Sequence, residues 1–360
     1  MHTLLHTSGA PQRPVQPRSD RSGGSDGRRG RRFRWPVRPA AAAALVTLLY
    51  ASTGCVTVHG ERAVIPSATG AEARSALSSF VTAYNKADKA YDPTLDEDRV
   101  TGALGDINQS GLKAKRVNNP HGNPNHSPLE LSDPQYTIPK MAGWPKFFVV
   151  AADSNRDRDG VEGQDNSWLM VFTRARPHAP WQVSYLTVVP LGDLPEFKLG
   201  EDGMAVPVSA DEADLAVAPR RLSQAYVDYL DKGGDTFAPG GQTSGWRAER
   251  ARNATRPGRS TQYIDKELTG GDYDAVGLRT KDGGALVFFA SRHYEKQTAA
   301  QGVTLDIPPD IKALTSGEVK QSITLERVSN QTVLDPPRDA PDKQVRFISR
   351  IQGLTSAKGE

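Results

Sequence analysis

Cysteine is almost missing from this chain: among its 360 residues there is one, Cys55. A single thiol excludes an internal disulfide framework, so any folded part outside the cytoplasm is held together by packing alone. Long apolar runs are missing too. The most apolar stretch, AAAAALVTLLY at 40–50, has 11 residues, whereas a helix that spans a bilayer takes about 20. Net positive charge is missing from most of the chain. The formal net charge is +3, but residues 1–54 hold nine arginines and two aspartates, leaving 36 basic against 40 acidic side chains in 55–360. That mildly acidic remainder has neither the basic stripe that nucleic acid requires nor a polybasic patch for anionic lipid. Residues 55–360 also lack H-E-x-x-H, G-x-S-x-G, G-x-G-x-x-G and the P-loop. The common zinc-protease, esterase and nucleotide-binding frames are therefore absent.

What is present starts with the surroundings of that cysteine. The apolar run at 40–50 has the length of a secretory h-region. The basic string RRGRRFRWPVRP precedes it, and the small residues Ala51, Ser52, Thr53 and Gly54 follow. This resembles the lipobox of bacterial lipoproteins: Thr53, Gly54 and Cys55 match its last three places, with Ser52 where leucine is usual. A thiolate is the side chain best suited to take up a diacylglyceryl group as a thioether. The resemblance implies that Cys55 is the lipid attachment site, that the bilayer is the partner, and that the mature chain sits on the outer face of the cytoplasmic membrane. Residues 1–36, rich in Gly, Arg, Ser and Pro, read as disordered. Residues 37–54 read as the signal peptide, with Val37 a candidate true start, and 55–70 as a linker. The string TGCVTVHGERAVIP at 53–66 resembles actinobacterial lipoproteins of unknown function.

Downstream, Leu77, Phe80, Val81 and Tyr84 recur at helical period and predict a helix over 71–89, with Thr69 and Glu72 as its capping box. Residues 117–140, with five prolines and four asparagines, read as extended or looping. KFFVVAA at 146–152, WLMVFTR at 168–174 and WQVSYLTVV at 181–189 read as strands, and Asp202-Gly203 as the turn of a short hairpin. The pattern then restarts. Leu222, Ala225, Tyr226, Tyr229 and Leu230 form a second helical stripe, and YVDYLDK at 226–232 aligns with FVTAYNK at 80–86. Residues 233–260 read as mobile loop. Strands follow at 273–280, 285–294, 319–328 and 345–354, the first two joined at Asp282-Gly283.

The fold expected is α+β, as two tandem domains over 71–212 and 213–360. Each is a helical segment packed on a curved antiparallel sheet. This element order resembles the NTF2-like cone, which implies a pocket between helix and sheet that Tyr84, Tyr226 and Tyr229 would line.

Candidate sites are sparse. Asn155, Asp157, Asp159 and Gly160 match the opening of a calcium loop, but Asn166 stands where the frame wants a bidentate glutamate, so a solvated hairpin turn competes. Ser110 and Lys113 make an S-x-x-K without its partner motifs. His121, His126, His178 and His293 are scattered without a zinc-ligand frame. Trp246 among Arg247, Arg250 and Arg252 offers a cation–π surface for an anion or glycan, against a plain surface loop. No cofactor or catalytic set emerges. The function expected is a non-catalytic, lipid-anchored binding or interaction module for an envelope protein or a small molecule. The competing reading is a pocket hydrolase or isomerase, which an Asp–His or Tyr–Asp pair facing a cavity would favour.

Overall fold

The computed structural model describes residues 63–158, 160, 161, 165–190 and 192–360; Cys55, the signal segment and Asp159 lie outside them. The described chain opens with a two-residue strand β1 (Ile65–Pro66) and then helix α1 (Gly70–Ala90). The Thr69 side chain accepts from the Glu72 amide while the Glu72 carboxylate accepts from the Thr69 amide. Two of the helix's orphan amides are thereby satisfied. Helix α2 (Gly102–Asn118) follows, then strands β2 (Leu131–Thr137), β3 (Lys140–Met141), β4 (Lys146–Ser154), β5 (Asn166–Arg174) and β6 (Gln182–Pro190). β1 pairs with β3, and the others form an antiparallel meander in the order β2-β4-β5-β6.

The remaining chain repeats that order at greater length. Helices α3 (Leu222–Lys232) and α4 (Ser244–Ala254) precede β7 (Thr255–Arg256), β8 (Arg259–Leu268), β9 (Val276–Arg279) and β10 (Ala285–Ala299). After the short α5 (Pro309–Ala313) come β11 (Thr315–Ser316), β12 (Ser322–Asp335) and β13 (Arg346–Gly359). The sheet runs β11-β13-β12-β10-β8-β7, with β9 beside the first residues of β10.

Side-chain alternation sets the layers. On β4 and β5, Phe148, Val150, Met170 and Phe172 share a face with Ala73, Ala76, Leu77 and Phe80 of α1. Phe148 stacks on Phe172 at 4.9 Å and Phe80 meets Phe172 edge-on at 6.1 Å. The other face, with Phe147, Val149, Leu169 and Val171, packs on Leu286, Phe288 and Ala290 of β10 and Val328 of β12. The far face of that second sheet, Val287, Phe289 and Val333, lies under Leu222, Tyr226 and Leu230 of α3. The order is helix, sheet, sheet, helix, and the protein is a mixed α+β structure with antiparallel sheets. Burying both faces explains why β4 and β5 read as continuous apolar runs rather than alternating ones.

Three elements depart from the sequence expectation. Helix α2 is absent from it, because GALGDINQSGLKAKRVN mixes three glycines with charge and shows only a thin stripe. Residues 131–137, within the stretch expected to be extended or looping, form the paired strand β2, which takes its one proline, Pro134, at a sheet edge. The stretch 233–260, expected to be loop, contains α4 and the start of β8.

Candidate functional site

Helix α4 explains what the periodicity missed. Its sequence SGWRAERARNA has almost no apolar face, and it is fixed instead by arginine. Arg247 donates from Nε to the Leu230 carbonyl at 3.2 Å, tying α4 to the C-terminal end of α3. Gly233, at φ 79°, makes room for this: a Cβ there would sit 2.6 Å from Arg247 Nη1. Trp246 and Arg250, one turn apart, then face the second sheet. The indole is held between two guanidinium groups, with Arg250 and Arg350 each 3.6 Å from a ring centroid.

Beneath this stack runs a buried polar ladder across three strands. Asp265 on β8 is opposite His293 on β10, and Ser291 on β10 is opposite Ser329 on β12. Arg250 grips Asp265 with two hydrogen bonds, 2.6 and 2.9 Å. Asp265 Oδ1 lies 2.7 Å from His293 Nδ1, and His293 Nε2 lies 2.7 Å from Ser329 Oγ. The carboxylate only accepts, so Nδ1 carries the proton and Nε2 accepts from the serine. Burial drives His293 down to about 3, so the ring is neutral at physiological pH. Burial alone pushes Asp265 up, but the bonds from His293 and Arg250 outweigh it and hold the carboxyl at about 2.

The three groups stand in the order of a catalytic triad. Access decides against that chemistry. Ser329 is fully buried, and its oxygen also accepts from Gln331 Nε2 at 2.6 Å. A serine nucleophile must face its substrate, so the ladder positions Arg250 and Trp246 from below.

Above the ladder opens a cleft of about 740 Å³. Arg250, Arg256, Arg259, Arg327 and Arg350 line it, together with Glu249, Glu295 and Tyr263. Arg327 is paired to Glu295 at 2.8 Å, as Arg250 is to Asp265. The other three arginines have only amide partners among the described residues. Arg259 donates to Gln297, Arg256 to Asn253, and Arg350 to Gln242 and Gln352. Burial lowers Arg350 to about 10, which leaves it cationic at neutral pH. Arranged this way, the cleft presents fixed positive charge and an aromatic face to an anion.

Of the residues singled out in the sequence, Trp246, Arg250 and His293 come together here. Arg247 fastens α4, and Arg252 is exposed. Tyr226 lies under the cleft, its hydroxyl donating to the Gln242 carbonyl at 2.6 Å, while Tyr229 packs on Phe237 in the α3 core. Tyr84 lines a second cavity. His121 and His178 are exposed, and His126 meets Asp88 at 2.8 Å. Ser110 and Lys113 lie on α2, with Ser110 half-buried and Lys113 exposed. In the 153–166 turn, Asn155 Oδ1 accepts from the Glu130 amide at 3.1 Å and its Nδ2 donates to the Pro128 carbonyl at 2.9 Å, while Asp157 accepts from the Asn166 amide at 2.7 Å. Among the described residues no three metal-ligating side chains cluster. Sequence reading missed Asp265, Ser329, Arg327 and Arg350. A signal existed: β8 and the second half of β10 carry polar residues on both faces, which marks a sheet surface facing something other than a core.

A family model for a domain of unknown function, DUF8094, matches residues 64–359. The chain is 55% identical over 321 residues to an uncharacterized lipoprotein of Streptomyces coelicolor, covering 89% of this chain and 94% of that one. It is 53% identical, over 89% of this chain and 95% of the relative, to an uncharacterized lipoprotein of Streptomyces avermitilis. A second Streptomyces coelicolor uncharacterized lipoprotein is 27% identical over 244 residues, 64% of this chain and 63% of the relative. No solved structure matches.

Proposed function

The chain belongs to the DUF8094 family of actinobacterial lipoproteins, and from that premise we propose that it is a non-catalytic binding module tethered outside the cytoplasmic membrane, with the arginine cleft as its ligand site. One observation carries the binding half of this reading. Arg256, Arg259 and Arg350 converge on a cleft without a carboxylate partner for any of them among the described residues. A fold gains little from holding three cations together, so a ligand anion is the natural counter-charge. The test is a calorimetric titration of the full chain carrying Cys55→Ser with methyl phosphate. Saturable binding that weakens severalfold at high salt and in Arg350→Gln supports the reading; absence of binding at millimolar ligand overturns it.

The anchoring half rests on Cys55 and its small-residue neighbours, supported by the relatives' description as lipoproteins. A diacylglyceryl thioether at Cys55 would hold the mature chain to the outer face, with the lipid bilayer as partner. Metabolic labelling with a radioactive fatty acid tests it: label must appear in the wild type and vanish in Cys55→Ala.

The division into tandem NTF2-like units, 71–212 and 213–360, is part of the same reading. It is supported by two helices followed by an antiparallel meander in each, β2-β4-β5-β6 in one and β8-β10-β12-β13 within a seven-stranded sheet in the other. The competing hydrolase reading has one observation in its favour, the Asp265–His293–Ser329 chain of 2.7 Å contacts. A fluorophosphonate that labels Ser329 in the native protein would establish it; the buried serine predicts no label.

A further inference from the structure

The arginine cleft has a neighbour. A second cavity of about 490 Å³ lies between α2, β6 and β13, lined by Tyr84, Leu104, Ile107, Trp168, Leu186 and Leu354. The two cavities share three wall residues, Arg327, Ile351 and Gln352. They also share strands. On β6, Leu186 lines the second cavity and Val188, two residues on and therefore on the same face, lines the cleft. On β13, Arg350 faces the cleft and Leu354 the second cavity, with Ile351 and Gln352 common to both. β13 is held close to α2 at this point, because Gly353 lets Ile107 approach to where a Cβ would be 2.7 Å from it. The chemistry changes sharply across that shared wall. Two acids line the second cavity, Asp88 and Asp310, and both are bonded, to His126 at 2.8 Å and to Asn118 at 2.6 Å. Its other polar lining is Asn108, bonded to Asp96 at 2.7 Å, Lys115, whose ammonium sits over the Tyr91 ring, and the shared Arg327 and Gln352; the remaining side chains are apolar or aromatic. On the other side, Arg250 is 9% exposed and its buried Nε has no hydrogen-bond partner among the described residues, as is true of Arg350 Nε.

From this juxtaposition we propose that the ligand is an amphipathic phosphate: a phosphoryl headgroup on the arginines of the cleft and an apolar chain in the second cavity. The inference rests on the anion-binding reading of the cleft and goes beyond it by assigning the second cavity to the same molecule. A phosphoryl group suits the cleft better than a carboxylate, since three arginines there lack a carboxylate partner among the described residues and a phosphate monoester brings up to two negative charges and three acceptor oxygens. The apolar cavity supplies what a soluble anion would leave unused, namely an apolar surface from which a chain displaces water.

Helix α2 offers a clean way to test the second half. Gly111 lines the apolar cavity, and a Cβ built there meets nothing within 4 Å. The backbone therefore accepts a side chain at this position, Gly111→Phe puts an aromatic ring where the cavity opens, and replacing a mid-helix glycine does not weaken the helix. The full chain carrying Cys55→Ser is titrated with dodecyl phosphate below its micellar concentration, with methyl phosphate, and with dodecanol. The expected result is binding of dodecyl phosphate about tenfold or more tighter than either of the others. Gly111→Phe should remove that advantage while leaving methyl phosphate binding and the melting temperature unchanged. The surface double variant Arg256→Gln/Arg259→Gln should weaken both phosphates. Equal affinity for dodecyl and methyl phosphate, or a Gly111→Phe variant that binds dodecyl phosphate as the parent does, overturns the amphiphile while the cleft stands. Equal affinity for dodecanol and dodecyl phosphate overturns the headgroup assignment. Failure of both phosphates to bind overturns the anion reading itself.

Discussion

The two sheets are built on the same antiparallel meander and are used in opposite ways. In β4 and β5 both faces are buried, against α1 on one side and the second sheet on the other. In β10 and β12 the face toward the first sheet is apolar over Leu286, Phe288, Ala290 and Val328, but the other changes character along its length. Val287, Phe289 and Val333 pack under α3; farther along, Ser291, His293, Glu295 and Arg327 occupy the same face, and the core gives way to a polar ladder and then an open cleft. The extra length of the second meander is what creates this. Its strands of 15, 14 and 14 residues outrun the helix that covers them, against 9 residues in each of β4, β5 and β6. A strand longer than its cover leaves sheet surface that must be either polar or filled by a partner.

That contrast is testable from its extremes inward. Phe172→Ala, which empties the stacked centre of the first sheet, should cost about 3–5 kcal/mol in urea unfolding and should not respond to pH between 4 and 8. Asp265→Asn keeps the shape of the ladder and removes its charge. It should cost about 1.5–3 kcal/mol and lower affinity for an anion in the cleft by loosening Arg250. If the two variants respond alike to pH, the sheets are not as different as their linings indicate.

A pH series separates two ends of the second sheet. His293 is held at about 3, so between there and the ordinary value of 6.5 the unfolded chain binds a proton that the folded one refuses. Its contribution therefore makes stability fall as pH drops through that window. Asp335, buried at the end of β12, is raised to about 7. The folded chain keeps a proton there that the unfolded one releases near 3.8, so its contribution makes stability fall as pH rises from about 4 to 7. Asp96, raised by burial to about 6, adds to the second slope. With two carboxyls against one imidazole, the parent should lose stability as pH rises from about 4 to 7. Asp335→Asn should tilt the profile toward greater stability at higher pH, and a neutral replacement such as His293→Gln should tilt it the other way. Each is read from unfolding midpoints in buffered steps.

The smallest effect is expected at Arg256. It is exposed and among the described residues donates only to Asn253, so Arg256→Gln should change stability by no more than about 0.5 kcal/mol while still weakening anion binding. A change in stability with no change in binding would make it part of the scaffold and break the contrast between cleft and core.

The first sheet was the easier part to read. The cores of KFFVVAA and WLMVFTR, residues 147–152 and 168–172, are continuously apolar because both faces are covered, and the capping box and stripe of α1 are local signals. β8 was harder because RSTQYIDKEL alternates polar with polar, leaving no hydrophobic period to detect. Helix α4 was invisible for a related reason, since its packing comes from guanidinium groups stacked on Trp246 rather than from an apolar stripe. The cleft was legible only in fragments. Trp246 and Arg250 stood out together as a cation–π pair, but Asp265, Ser329 and Arg350 are 15, 79 and 100 residues beyond Arg250, and nothing in their local sequence ties them to it.

Composition and short-range pattern alone determined the lone cysteine behind an apolar run, the charge reversal after residue 54, the α+β class and the strongly apolar strands to within two residues at each end. These depend on neighbours within one or two turns of chain. Tertiary structure decided which polar residues face one another. His293 became a neutral acceptor, Arg250 a buried and gripped cation, and Trp246 the centre of a stack, because burial and cross-strand register, not sequence distance, set their surroundings.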